Sequence, residues 1–166
     1  KGQLFFDDIE ISQLSLPWLR KNLTYLPQEP RFIDGTLLDN MIGSREISKN
    51  DFQQVIQRIG LEDMINSDPK GVNLLMSDKG ETLPVGIRKR IALGRALFVG
   101  GKLAIMDEPT EGLDAAGRNS VYQIIDELVK HNKTVIVATQ DDEIMNNAKN
   151  IIDLDKKPIP GTQSIN

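Results

Sequence analysis

The chain has 166 residues, 39% of them apolar, enough for one domain or a modest two-part unit with a real core. Its 20 basic and 24 acidic residues leave a net charge of −4, which speaks against a dedicated nucleic-acid surface, usually basic. Cysteine is absent, which excludes disulfides and thiolate metal sites and fits a reducing, cytoplasmic setting; no signal peptide opens the chain, and no apolar run approaches the roughly 18–20 residues of a membrane helix.

Lys1–Asp8, "KGQLFFDD", is strand-like from its first residue, with no cap or linker before it, and predicts a piece of something longer. Asn22–Leu26 reads as a strand before "PQEP". Thr36–Ile42 and Lys49–Gly60 predict helices, the second with Phe52, Val55, Ile56 and Ile59 in register. Gly71–Glu81 reads as loop. Gly86–Phe98 is helical again, with Ile87, Ile91 and Leu97 among its apolar positions. Leu103–Met106 is a continuous apolar run, expected to be a strand buried on both faces. Arg118–His131 carries Val121, Tyr122, Ile124, Ile125, Leu128 and Val129 at helical spacing. Thr134–Thr139 is a β-branched strand, Asp141–Ala148 a short helix, and Asn150–Leu154 a further strand. The tail 156–166, with Pro158, Pro160 and Gly161, predicts a flexible end.

The alternation of strand and helix in the second half implies a parallel sheet with helices on its faces. Residues 1–28 and 91–155 are therefore expected to form an α/β core, with 29–90 as a helical insert. In such sheets ligands collect at the carboxyl ends of the strands, where Asp107, Glu108 and Gln140 fall.

Two adjacent acids at the end of a buried strand have two readings. The structural one makes Asp107 a cap and Glu108 a solvated side chain. The chemical one makes Asp107 a Mg²⁺ ligand beside nucleotide phosphates and Glu108 the group that orients and deprotonates an attacking water.

Further segments, in order along the chain, resemble the nucleotide-binding domain of ABC transporters over about residues 2–155. "NLTYLPQEPRFIDG" (22–35) looks like the Q-loop, with Gln28; "GETLPVGIRKRIALGRAL" (80–97) like the signature loop and its helix. "LAIMDEP" (103–109) looks like Walker B, "EGLD" (111–114) like the D-loop, and "TVIVATQ" (134–140) like the strand before the switch-histidine position. The stretch "LSLPWLRKNLTYLPQEPRFIDGTLLDNM" is similar to the exporter branch, whose Q-loop region meets the coupling helices of a membrane domain. The resemblance implies a parallel-sheet P-loop NTPase core with an inserted α-helical subdomain, truncated at its N-terminus. It implies ATP and Mg²⁺ as ligands, with Asp107 and Gln28 at the metal, and Glu108 and Gln140 in catalysis. Gln28, Thr82, Leu83, Pro84, Val85, Gly86 and Asp114 would contact nucleotide, the signature residues and the D-loop across a dimer. The implied partners are an exporter's transmembrane domain and a second nucleotide-binding domain, at the cytoplasmic face of the cell membrane, with no nucleic acid.

The pattern is incomplete. No G-x-x-x-x-G-K-[ST] occurs, so there is no Walker A loop. Gly100-Gly101-Lys102 has the wrong spacing and is a turn before the Walker-B strand. In the family that loop lies upstream of where this chain begins, so this piece alone is expected to bind ATP poorly. The family signature L-S-G-G-Q here reads L-P-V-G-I over Leu83–Ile87. Pro84 lacks both a hydroxyl and an N–H, Val85 adds a Cβ where close backbone approach is wanted, and Ile87 cannot hydrogen-bond. The helix should persist, with Thr82 or Leu83 at its N-cap and proline in its first turn. Gln140 can donate to a phosphate but cannot carry charge. His131 reads as a surface residue at a helix end, and Arg88, Lys89 and Arg90 as a solvated basic face.

An ATP-hydrolysing exporter domain is the leading reading. A catalytically impaired regulatory subunit, and a soluble ABC ATPase, are the alternatives.

Overall fold

The computed structural model describes residues 2–154 and Lys156. The strand-like opening is a tight hairpin. Phe5–Phe6 (β1) pairs antiparallel with Ile9–Glu10 (β2). The two turn residues, Asp7 and Asp8, have φ of 47° and 63°, the left-handed backbone a two-residue hairpin needs. Leu16–Asn22 then forms a helix (α1) that apolar spacing did not reveal. Its signals are at its start: Ser15 Oγ accepts from the Trp18 N–H at 3.3 Å, and Pro17 stands in the first turn. Asn22 belongs to that helix, and the strand expected from 22 runs Leu23–Leu26 (β3).

Gly35–Thr36 (β4) leads into Leu37–Ile42 (α2), which Thr36 and Asp39 start with a reciprocal capping box. Lys49–Arg58 (α3), with Ser48 as its cap, and Glu62–Ser67 (α4) follow. The segment 71–81 is more ordered than a loop. Leu75–Met76 (β5) pairs antiparallel with β4, between single 3-10 turns at Gly71–Asn73 and Asp78–Gly80. Val85–Val99 (α5), Leu103–Asp107 (β6), Ala115–Lys130 (α6), Thr134–Ala138 (β7) and Asp142–Asn147 (α7) complete the order. Asn150–Leu154 is not a strand. It has no ladder partner among the described residues, and Ile151, Ile152 and Leu154 are exposed. The expected flexible tail lies, apart from Lys156, outside the described residues.

β3, β6 and β7 form one parallel sheet with β6 in the middle; Tyr25, Ile105 and Ile136 stand in one row across it. Side chains alternate between faces along each strand. Thr24, Leu26, Ala104 and Met106 face the core and are buried, while Tyr25 and Ile136 on the other face are more than half exposed. β6 is thus fully buried on one face, not on two as its apolar run suggests.

A single core joins the sheet to the helices. Leu26 and Met106 meet Ile91 of α5, Leu37 and Met41 of α2, Ile56 of α3 with Ile59 just beyond it, and Val121 and Ile124 of α6, all buried. Each such side chain contributes about 1.5–3 kcal/mol by leaving water. α5 is tied to the sheet's start by one hydroxyl: Thr24 Oγ1 donates to the Ala96 carbonyl at 3.5 Å and accepts from the Gly101 N–H at 3.0 Å. Gly100, at φ 61°, ends α5 in the left-handed conformation. The Gly-Gly-Lys run is therefore the turn between α5 and β6, as expected, and Gly100 is its helix stop.

Candidate functional site

The carboxyl ends of β3, β6 and β7 bring three sequence-predicted segments side by side. Asp107 is the last residue of β6, opposite Ala138 of β7, and is half-buried. Glu108 follows with φ 42°, a conformation costing a non-glycine residue roughly 1–3 kcal/mol. Its surroundings hold it there. The Glu108 N–H donates to the Ala138 carbonyl at 2.9 Å, which extends the strand pairing by one bond. Its carbonyl accepts from Lys89 Nζ and, at 3.2 Å, from the Glu111 N–H. Its carboxylate Oε2 accepts from Thr139 Oγ1 at 3.2 Å, and that hydroxyl accepts in turn from the Asp141 N–H. Gln140, next in the chain, is exposed.

Gln28 lies two residues beyond β3 and is exposed; its Nε2 donates to Glu111 Oε2 at 2.9 Å. The segment after it is pinned to α5 and α2. Arg95 donates to the Asn40 carbonyl at 2.7 Å and the Arg31 carbonyl at 3.0 Å, with its guanidinium over the Phe32 ring. Buried Asn40 bonds both backbone groups of Ile33 at 2.9 Å. A cleft of about 390 Å³ opens between Gln28, Pro30, Val85, Lys89 and Glu111.

The signature-like segment differs from expectation at its cap. Pro84 itself is the N-cap of α5, not Thr82 or Leu83, and it supplies no side-chain acceptor to the first turn. Proline's extended ψ of 145° suits that position. Thr82, Pro84 and Val85 are exposed; Leu83 and Gly86 are half-buried. This segment meets the D-loop-like turn directly. A Cβ on Gly86 would lie 3.3 Å from the Gly112 carbonyl, and one on Gly112 would lie 3.0 Å from Val85 Cγ1. Asp114 caps α6, its Oδ1 accepting from the Gly117 N–H at 2.7 Å and from Arg90 Nη2 at 2.6 Å. The Gly117 amide, with the Arg90 guanidinium and against the cost of burial, holds the Asp114 carboxyl below the usual range.

The basic run Arg88–Arg90 is not a solvated face. Lys89 is 3% exposed, and its Nζ lies 3.9 Å from Glu111 Oε2 as well as on the Glu108 carbonyl. Burial pushes its ammonium pKa down, while Glu111, Glu108 and Asp107 oppose that shift. Arg90 joins Asp114 to the Ile59 carbonyl, which it reaches at 2.8 Å. Lys89, Glu111 and Thr139 are the residues that sequence reasoning missed. Their signal was weak: a lysine inside an otherwise apolar helix stripe, an acid three residues after Glu108, and a hydroxyl beside Gln140.

Among the described residues no group of three or more His, Cys, Asp or Glu side chains is placed to hold a metal by itself. The donor set at the strand ends is a carboxylate, Asp107, which ends β6, and an amide, Gln28, two residues beyond the neighbouring β3. Such a pair fits Mg²⁺, which binds through one or two protein oxygens, waters and substrate phosphates.

The family model described as ABC transporter matches residues 1–111. Among curated relatives, "Multidrug resistance protein pgp-1" of Caenorhabditis elegans is 32% identical over 139 residues, 83% of this chain and 10% of that protein. "Glutathione/L-cysteine transport system ATP-binding/permease protein CydC" of Escherichia coli (strain K12) is 31% identical over 140 residues, 84% of this chain and 24% of that protein. A solved structure, that of a bacterial Atm1-family ABC exporter with ATP bound, superposes with a TM-score of 0.77 over 87% of this chain and 26% of that one; at 21% identity the likeness is one of fold. The chain therefore spans a minor part of the relatives it matches. By these matches it belongs to the ABC transporter family, and what it matches there is the exporter-type nucleotide-binding domain.

Proposed function

We propose that the chain is the ATP-hydrolysing part of an ABC exporter, which powers export through ATP-driven dimerisation of two nucleotide-binding domains. The observation that carries this reading is Glu108. Its carboxylate stands at the end of the central strand, beside Asp107, with its backbone fixed on both sides and its Oε2 bonded to Thr139.

In this reading Glu108 takes a proton from a water, the water oxygen bonds to the γ-phosphorus, and the bond to the β–γ bridging oxygen breaks to release ADP. Asp107 and Gln28 offer the oxygens that would hold Mg²⁺. When bound, that ion would draw charge from the phosphate oxygens. Gln140 donates an amide hydrogen toward the γ-phosphate. Thr82, Leu83, Pro84, Val85, Gly86 and Asp114 face a second nucleotide-binding domain. The division into a core (1–28, 91–155) and a helical insert with the signature loop (29–90) belongs to the same reading. So do a transmembrane partner and a place at the cytoplasmic face of the membrane. Among the described residues no helix is long and apolar enough to cross a membrane.

A second reading, a regulatory half with little turnover, is favoured by Pro84. A helix start without a side-chain acceptor, lacking one N–H and bearing Val85, is a poorer anion contact than the family pattern. The test is steady-state ATP hydrolysis by the full-length protein in membranes, beside Glu108→Gln. A fall of roughly 10²–10⁴-fold in the variant supports the motor. Background rates in both support the regulatory half, and measurable turnover unaffected by the substitution removes Glu108 from the mechanism.

A further inference from the structure

Glu111 and Lys89 have no part in the reaction as described above, yet they touch two of its participants. Glu111 Oε2 lies between two donors, Gln28 Nε2 at 2.9 Å and Lys89 Nζ at 3.9 Å. Lys89, 3% exposed, also holds the carbonyl of Glu108 in its left-handed conformation. An ionised carboxylate only accepts hydrogen bonds, and an ammonium only donates. Glu111 therefore selects which end of the Gln28 amide faces it: the NH₂. The carbonyl oxygen Oε1 is left for another partner. With the amide turned over, Gln28 would present two N–H donors in place of its oxygen, and a cation would meet no ligand there.

We propose that Lys89 and Glu111 are a positioning pair, which orients the Gln28 amide so that its oxygen serves the metal side of the site and, through the same lysine, fixes the backbone of Glu108. The inference rests on the ATP-site reading given above. Two features make the pair suited to the task. Glu111 is more than half exposed, so its carboxylate is held in place by these partners and not by packing. Lys89 is buried, which pushes its ammonium pKa down, and Glu111 leads the carboxylates that oppose that push. The pair also links the two sides of the cleft, α5 and the turn after β6, to the segment after β3.

The test uses the full-length protein in membranes and a readout without turnover. In a Glu108→Gln background, ATP binding is measured with Mg²⁺ and with excess chelator, for Glu111→Gln, Lys89→Met and the double variant. A glutamine at 111 keeps the shape but can face Gln28 with either amide end. The expected result is an about tenfold loss of the Mg²⁺-dependent gain in ATP affinity for each single variant, the usual size for outer-shell support of a metal ligand. ATP binding in chelator stays at its starting value, and the double variant loses no more than the worse single. An unchanged gain in Glu111→Gln, equal losses with and without Mg²⁺, or additive losses in the double variant would overturn the pairing. Absence of ATP binding before either residue is changed would overturn the ATP-site reading itself, and the pairing with it. Glu111→Gln guards against misfolding of the buried Lys89→Met, because it alters an exposed side chain.

Discussion

Arg90 Nη2 lies 2.6 Å from Asp114 Oδ1, so the residue that starts α6 is bound to the helix that precedes it in the chain. The same carboxylate oxygen accepts from the Gly117 amide, which leads the causes that hold its pKa below the usual 3.8. Asp141, the cap of α7, is also lowered: burial works to raise it, and hydrogen bonds from Thr110, Tyr122 and the backbone outweigh that.

These two caps predict the acid response. A carboxyl whose folded pKa is depressed stabilises the fold fully above its unfolded value of about 3.9, and that contribution is lost as pH falls through the folded value. The melting temperature should hold through mildly acidic pH and drop below about pH 4. Asp114→Asn and Asp141→Asn should melt lower at pH 7 and lose less on acidification. Melting curves at a series of pH values check this; a wild-type acid slope in both variants would remove the caps as its source.

Gly101 predicts a steric result. An added Cβ would lie 2.5 Å from the Asn22 carbonyl oxygen and 2.8 Å from the Thr24 nitrogen, all backbone that cannot swing aside. Gly101→Ala should cost about 2–3 kcal/mol or more in urea unfolding. The neighbouring exposed Lys102→Ala should change stability by less than about 0.5 kcal/mol.

The two faces of the sheet should answer differently to truncation. Ile91, fully buried beneath the core face, should lose about 2–5 kcal/mol on replacement by alanine. Ile136, 53% exposed on the other face, has much less contact to lose and should cost well under half as much. Equal losses in denaturant titrations would mean that the second face is covered in solution.

The signature-like segment predicts a gain. Pro84→Ser with Val85→Gly restores a hydroxyl acceptor and donor, an N–H and close backbone approach at the start of α5. One recovered hydrogen bond to a charged group contributes roughly 1.5–3 kcal/mol, or about ten- to a hundredfold in nucleotide-driven association. Dimerisation of the full-length protein's nucleotide-binding domains, followed by cross-linking with and without ATP, reads the change. No gain would show that this segment does not meet nucleotide.

Most of the second half was legible because its signals are local. The stripe Val121, Ile124, Ile125, Leu128 marks α6, and Thr134–Ala138 is β-branched enough to be read as a strand at sight. α1 and β1–β2 were missed or blurred because they are short and set by caps and turn residues, Ser15, Asp7 and Asp8, more than by periodicity. Asn150–Leu154 misled in the opposite way: its composition is that of a strand, but a strand exists only with a neighbour to pair with. At the site, Asp107, Glu108 and Gln140 could be singled out from their places at strand ends, and Gln28 from the Q-loop resemblance. Lys89 could not, because a basic run on a helix is usually solvated, and only the packing of α5 against the turn at Glu108 shows that Lys89 is buried there. The Gln28–Glu111 bond joins residues 83 positions apart, a separation no local pattern reports.

The close approach of Gly86 to the Gly112 carbonyl, with Val85 laid over Gly112, has a mechanical consequence. With Arg90 spanning from Ile59 to Asp114 just behind, the first turns of α5 and the turn before α6 are meshed along two backbones and one guanidinium. Neither can rotate without dragging the other. They are one moving part, and anything that leans on the start of α5 from outside also shifts the loop that follows the acid pair.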